Sequence, residues 1–349
     1  MKNIIFLICL TFSLTSLLAQ EKTPTNIILM IGDGMGLTQI TAGMYFNGNK
    51  TALEDFTSIG LSKTHSSNSL VTDSAASGTA MAVGVKTLNG VVGISYKNKM
   101  PKSILEISKE QGYQTALIAT SSIVHATPAS FYADVVSRKE YEKIALQMST
   151  SVVDYFIGGG KKHFNDREDN RNLIKEMSDY DIVSSLSKFD NSTASKIGHF
   201  TNRDEPNKIV DGRLPLKNAV QSVLNKLDRD QKPFFMMVEG SQIDWGGHAN
   251  EINYVISEFK DFDAAIQTVL DYTIDHPNTL VIVTADHETG GLTIPKGNIK
   301  KMRPSVDFST VGHTASMVPV FAKGPSADTF SGIYDNTLIF AKMLNVLNE

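Results

Sequence analysis

Cysteine is nearly absent from this 349-residue chain, and its one copy, Cys9, lies in the opening segment. That segment, MKNIIFLICLTFSLTSLLAQ, has one early lysine, an apolar run and a small residue, Ala19, ahead of a polar stretch. The pattern is that of a secretory signal peptide over residues 1–19, too short and too poorly flanked for a membrane span. Leu17 occupies the position three before the cut, where a small residue is usual, and bulky Ile8 ahead of Cys9 argues against lipidation. The expected product is exported, periplasmic or secreted, and retains no cysteine. Such a chain has no disulfide and no thiolate ligand. Any metal must then be held by His, Asp, Glu, Ser or Thr, which points to hydrolytic zinc or magnesium chemistry.

Other absences narrow the choice further. There is no Lys/Arg run, and the net charge is −4, so nothing suggests nucleic acid as a partner. No repeat, low-complexity tract or linker divides the chain. With 41% hydrophobic and 20% charged residues it reads as an ordinary globular protein with a full core. Short apolar runs mark strands: NIILMI (26–31), TALIAT (115–120), DYFIG (154–158), FFMMV (234–238), TLVIVT (279–284) and VPVFA (318–322). Helical patterns lie between them, among them 103–112, 137–149, 216–227, 253–272 and 336–348. The predicted fold class is α/β, a mostly parallel central sheet flanked by helices on both faces. One catalytic domain is expected over 20–349, with the irregular polar stretch 186–215 as a surface insertion.

Open α/β sheets collect their chemistry beyond the carboxyl ends of the strands. Asp33 follows the first run, between glycines. His125 and Thr127 follow the second, Glu239, Asp244 and His248 follow FFMMV, and Asp286 and His287 follow TLVIVT. Each feature alone has a bland reading. Asp33 in IGDGMG could be a turn, and the spacing of a dinucleotide fingerprint is missing. Ser74 in VTDSAASGTAMAVG is either an ordinary serine at a helix start, capped by Asp73 or Thr72, or a nucleophile at an anion-binding helix end. Asp244 and His248, four apart in EGSQIDWGGHANE, suit one helix face, although the glycines favour a tight loop. Arg138 reads as a solvated helix start or a phosphoryl grip. Together Asp33, Asp244, His248, Asp286, His287 and His313 suffice for two zinc ions. Thr127 and Glu239 add oxygen ligands of the kind magnesium prefers.

Taken in order, NIILMIGDGMG, VTDSAASGTAMAVGVKTLNGVVG, HATPASFYADVVSR, MVEGSQIDWGGHANE, TADHETGGL and GHTASMVPVFAKGP resemble the alkaline phosphatase family. They are collinear from residue 26 to about 325. The resemblance implies phosphate monoester hydrolysis through a phosphoserine on Ser74. It implies one zinc on Asp244, His248 and His313, and a second on Asp33, Asp286 and His287. It further implies magnesium shared with Asp33 and completed by Thr127 and Glu239, with Arg138 on the phosphoryl oxygens. The expected partners are small phosphomonoesters, with a homodimer as one option and no stable membrane anchor.

His125 and Trp245 depart from the best-known bacterial pattern, which has aspartate near magnesium and lysine near phosphate at these places. Only about twenty residues separate Gly291 from His313, where the family often carries a large insertion at the dimer surface. A two-zinc phosphodiesterase of the same superfamily is the nearer rival, and Arg138 favours monoesters over it. A non-catalytic phosphate- or metal-binding protein is the more distant one.

Overall fold

Asn26–Gly32 (β1) sends Ile27, Leu29 and Ile31 into one hydrophobic core and Ile28 and Met30 into another. Successive side chains of a strand point to opposite faces, so an unbroken apolar run needs cover on both. The computed structural model describes residues 25–348, so the expected signal segment and Cys9 lie outside the described residues. Strands following β1 are Ser58–Lys63 (β2), Gln114–Ser122 (β3), Tyr155–Gly159 (β4), Asp181–Val183 (β5), Ile197–Phe200 (β6), Phe234–Gly240 (β7) and Thr279–Thr284 (β8). Then come Glu288–Thr289 (β9), Leu292–Asn298 (β10), Arg303–Phe308 (β11), His313–Thr314 (β12), Val318–Lys323 (β13) and Gly332–Asp335 (β14).

Ten of these strands form one sheet in the order β14-β2-β13-β8-β1-β7-β3-β4-β6-β5. Only β13 runs antiparallel to its neighbours, so the sheet is mostly parallel as expected. One face is covered by the helices Ser74–Val83, Ile104–Glu110, Tyr141–Ser149 and Thr337–Asn348, the other by Leu216–Arg229 and Ile252–Asp275. Leu216, Ala219, Val220, Val223, Leu224 and Leu227 are the buried stripe of one such helix, at the three-and-four spacing that packs one side. Among the described residues, no helix is long and apolar enough to cross a membrane.

Two expectations change. The stretch 186–215 is in part a piece of the sheet: β6 lies inside it, between β4 and β5. Its loop is also held inward, with Glu205 Oε2 accepting the Ser122 amide at 2.6 Å and buried Arg213 paired with Glu258 and Asp261. Four residues, IGHF, are too few to show a period, which hid this strand. Gln242–His248 is a helix, not a tight loop. Gly246 and Gly247 do not have positive φ. They are small because a Cβ on Gly246 would meet the Val255 backbone nitrogen at 2.7 Å and one on Gly247 would meet Thr289 at 2.9 Å. These glycines admit a neighbouring helix and strand rather than a turn.

Candidate active site

The four strands β8, β1, β7 and β3 are consecutive in the sheet and mutually parallel. Their registers set Ile31 level with Glu239 and Thr284, so the polar residues beyond them emerge at one height. Asp33, Thr127, Glu239, Asp286 and His287 are all wholly buried there. Ser74 is the first residue of a ten-residue helix with every residue buried, and Asp73 caps it by accepting the Ala76 amide at 3.0 Å. Gly78 in that helix lets it lie on Ser130 and Thr127, since a Cβ there would come within 2.9 Å of the serine oxygen.

Ser74 Oγ is 3.3 Å from His287 Nε2. The same nitrogen is 3.1 Å from Asp286 Oδ2 and 3.5 Å from Asp33 Oδ1. Asp244 Oδ2 lies 3.3 Å from His248 Nε2, and its Oδ1 lies 3.5 Å from His313 Nε2. Three sets have potential ligand atoms all within 4.8 Å of one another: Asp244, His248 and His313; Asp33, Asp244 and His287; Asp33, His125 and Glu239. Asp286 belongs beside the second by its contact with His287, and Thr127 sits next to the third.

Several atoms at this place have no hydrogen-bond partner: both Asp33 oxygens, Asp286 Oδ2, Glu239 Oε1, Thr127 Oγ1 and His125 Nδ1. Buried polar atoms without partners are costly, and buried carboxylates more so. Burial, then the charges of Asp286, Asp244 and Glu239, push the Asp33 carboxyl well above its usual range. Burial likewise pushes Glu239 up to about 7, against the opposing hydrogen bond from Ser241. Burial alone would raise Asp286 too, but His287 beside it holds it low. The hydrogen bond from His248 to Asp244 raises the imidazole to about 9.

Two of the histidines are oriented by backbone carbonyls. His248 Nδ1 lies 2.6 Å from the Val311 carbonyl and His313 Nδ1 2.8 Å from that of Thr72. A carbonyl can only accept, so each Nδ1 carries a proton, and each Nε2 is the ring atom left to meet a metal once it gives up its own proton. The two Nε2 atoms lie 3.1 Å apart, and the His287 and His313 rings stack at 3.5 Å. Oxygen and imidazole donors in this number fit zinc, and the oxygen-rich set around Glu239 and Thr127 fits magnesium.

Arg138 precedes its helix, which begins at Tyr141 rather than at residue 137. Its Nη1 donates to Asp73 Oδ2 at 3.1 Å, and its Nη2 is 3.4 Å from His125 Nε2. Burial and this guanidinium push His125 down to about 3, which keeps the ring neutral. Half-buried Trp245 meets His125 edge-on at 6.2 Å. All twelve residues singled out in the sequence therefore fall in one connected region. Four contributors were not anticipated in these roles. Asp73 anchors Arg138 as well as capping the helix, and Ser241 and Ser121 place hydroxyls 2.7 and 3.3 Å from Glu239 Oε2. Thr289, two residues after His287, was hidden by looking only at ligand types. Strand alternation would have put it on the same side.

A family model described as alkaline phosphatase matches residues 24–307, so His313 lies just past the matched range. Alkaline phosphatase 3 of Bacillus subtilis (strain 168) is 33% identical, covering 94% of this chain and 91% of its own. The alkaline phosphatase of Escherichia coli (strain K12) is 30% identical, with 93% and 86% covered. Among solved structures, the alkaline phosphatase from the Antarctic bacterium TAB5 matches with a TM-score of 0.89 and 43% identity over 94% of this chain and 99% of its own. A histidine-to-aspartate variant of the TAB5 enzyme, with magnesium bound in its M3 site, matches with the same TM-score at 42% identity and the same coverage.

Proposed function

Since the chain belongs to the alkaline phosphatase family and is a phosphoric monoester hydrolase, we propose that Ser74 is its nucleophile and Arg138 its phosphoryl clamp. Asp244, His248 and His313 would hold one zinc, and Asp33, Asp286 and His287 the other. Asp33, Thr127 and Glu239 would hold magnesium, with His125 beside them. The observation carrying this is the set of buried, unpartnered oxygens on Asp33, Asp286, Glu239 and Thr127, gathered around a serine hydroxyl. When bound, the cations supply Lewis-acid charge beside the attacking and leaving oxygens of an in-line displacement.

The chain's own residues do the rest. Ser74 Oγ gives up its proton and attacks phosphorus, the bond to the leaving group breaks, the departing alkoxide takes up a proton, and phosphoserine is formed. Water then attacks phosphorus, freeing Ser74 and inorganic phosphate. The helix start places the first-turn amides and the positive end of the dipole at the phosphoryl group. Arg138, held from behind by Asp73, presents its guanidinium to two non-transferred oxygens. A monoester offers both oxygens charged, whereas a diester does not. His125 supplies no negative charge to the third set, and the hard oxygens of Asp33, Thr127 and Glu239 are what support assigning magnesium here. Export belongs to the same reading, and N-terminal sequencing of the mature protein, starting near Gln20, checks it.

The test compares wild type with Ser74→Ala by metal analysis and by turnover of p-nitrophenyl phosphate. The variant is expected to keep its divalent ions and lose turnover by roughly 10³-fold or more, as for loss of a covalent nucleophile. Chelation should abolish wild-type turnover. Activity surviving in Ser74→Ala would overturn the assignment.

A further inference from the structure

Thr289 lies outside the ligand sets yet touches both zinc sites. Its side chain is buried, with Oγ1 2.5 Å from Asp244 Oδ1 and 3.2 Å from His287 Nδ1. Its backbone pairs with His313 across β9 and β12. A threonine hydroxyl has one proton to give and lone pairs to receive. The Asp244 carboxylate can only accept, so the proton goes there. The lone pair must then receive Nδ1–H from His287. This makes His287 Nε2 the ring atom that faces the site, on the side where Ser74 Oγ, Asp286 Oδ2 and Asp33 Oδ1 lie.

We propose that Thr289 is a positioning residue for both zinc sites, its single hydroxyl fixing the tautomer of His287 and the orientation of Asp244. The proposal rests on the two-zinc reading given above. His248 and His313 take the same tautomer from backbone carbonyls, whereas His287 takes it from a side chain. The hydroxyl is itself held in place. Gln39 donates to the Thr289 carbonyl at 2.8 Å, and the threonine methyl fills the space left by Gly247. The links from one ligand histidine to one ligand carboxylate therefore pass through a single rigid oxygen. Partners of this kind, behind the ligands, set ring orientation and ligand basicity.

The test uses the full mature protein as wild type, Thr289→Ser and Thr289→Val. Each is loaded with zinc, and release to a chromophoric chelator is followed. Nitrogen-15 histidine NMR of the zinc-loaded protein reports the ring tautomers, and melting of the metal-free proteins reports structure. Valine keeps the shape and removes both hydrogen bonds, so it should weaken zinc retention roughly 10- to 100-fold. One histidine should also lose its fixed Nδ1–H signature. Serine keeps the hydroxyl and should restore retention close to wild type. If Thr289→Val releases zinc like wild type and keeps the tautomer, the positioning role is wrong. Equal release with only a lower metal-free melting temperature would also overturn it, leaving a packing role. A wild type that takes up no zinc would sink the two-zinc reading and this proposal together.

Discussion

Arg138 enters the pocket between Asp73, which takes its Nη1, and His125, which faces its Nη2. Trp245, packed edge-on to His125, brings bulk without charge. A Trp245→Lys variant would add a cation beside Arg138, and one charged hydrogen bond is worth enough to tighten phosphate binding about tenfold. Competitive inhibition by inorganic phosphate measures this, and an unchanged inhibition constant would refute the charge argument. His125→Asp acts on the neighbouring set. It adds a negative hard oxygen to Asp33 and Glu239, so magnesium should bind more tightly and zinc should compete less well. Calorimetric titration of wild type and His125→Asp with magnesium checks it, and equal affinities would count against it. At this scale much of the site was legible. Asp33, Asp286 and His287 are ligand-type residues just beyond buried strands, and Asp244 follows in the helix after another, a pattern visible in one dimension. Asp73 and Thr289 were not, because their importance lies in what they hold. Asp73 bonds Arg138 across 65 positions and Thr289 bonds Asp244 across 45.

Elements differ in how openly they announce themselves. β1, β3, β7 and β8 are buried on both faces, so their unbroken apolar runs could be read directly. β2, β5, β6 and β14 were missed. Each is short or mixed in polarity, and each is specified by a partner strand more than by its own pattern. The helix Gln242–His248 misled for a different reason. Two glycines in a row oppose helix by about 1 kcal/mol each, yet tertiary contact keeps them there. Gly246 faces the start of the Ile252–Asp275 helix so closely that a methyl group would meet backbone, which cannot move aside as a side chain would. Gly246→Ala gains intrinsic helix propensity and should nevertheless destabilise, by about 1–3 kcal/mol from overpacking. Because Asp244 and His248 ride on this helix, zinc retention should fall with it. Chemical denaturation beside a zinc-release assay measures both. A variant of unchanged or higher stability would show that the two helices are not packed this closely.

Across the whole molecule, two cores clamp one sheet, and the acidic groups of the site are gathered at the carboxyl end of its central strands. On the proposed metal assignment, acid would strip the ions from those carboxylates and histidines, so a bare pH profile of stability would mix that loss with every other titration. A group remote from the metals can be isolated by difference. Asp134 lies half-buried between the Ala126–Ala129 and Tyr141–Ser149 helices, and burial, with Glu106 nearby, pushes it up to about 6. Unfolding returns its carboxyl to the ordinary range near 3.8. Between these values the native protein binds the extra proton. The group's favourable contribution is therefore full below the lower value and is lost as pH rises toward the upper one. Asp134→Asn cannot titrate, while both proteins shed metals alike. The variant should gain on wild type as pH rises from about 4 to about 6.5, by about 1 kcal/mol once solvent screening of this half-exposed group is allowed for. Guanidinium unfolding of the pair at several pH values gives this difference. A stability gap that stays constant across the window would mean that burial does not hold the Asp134 proton.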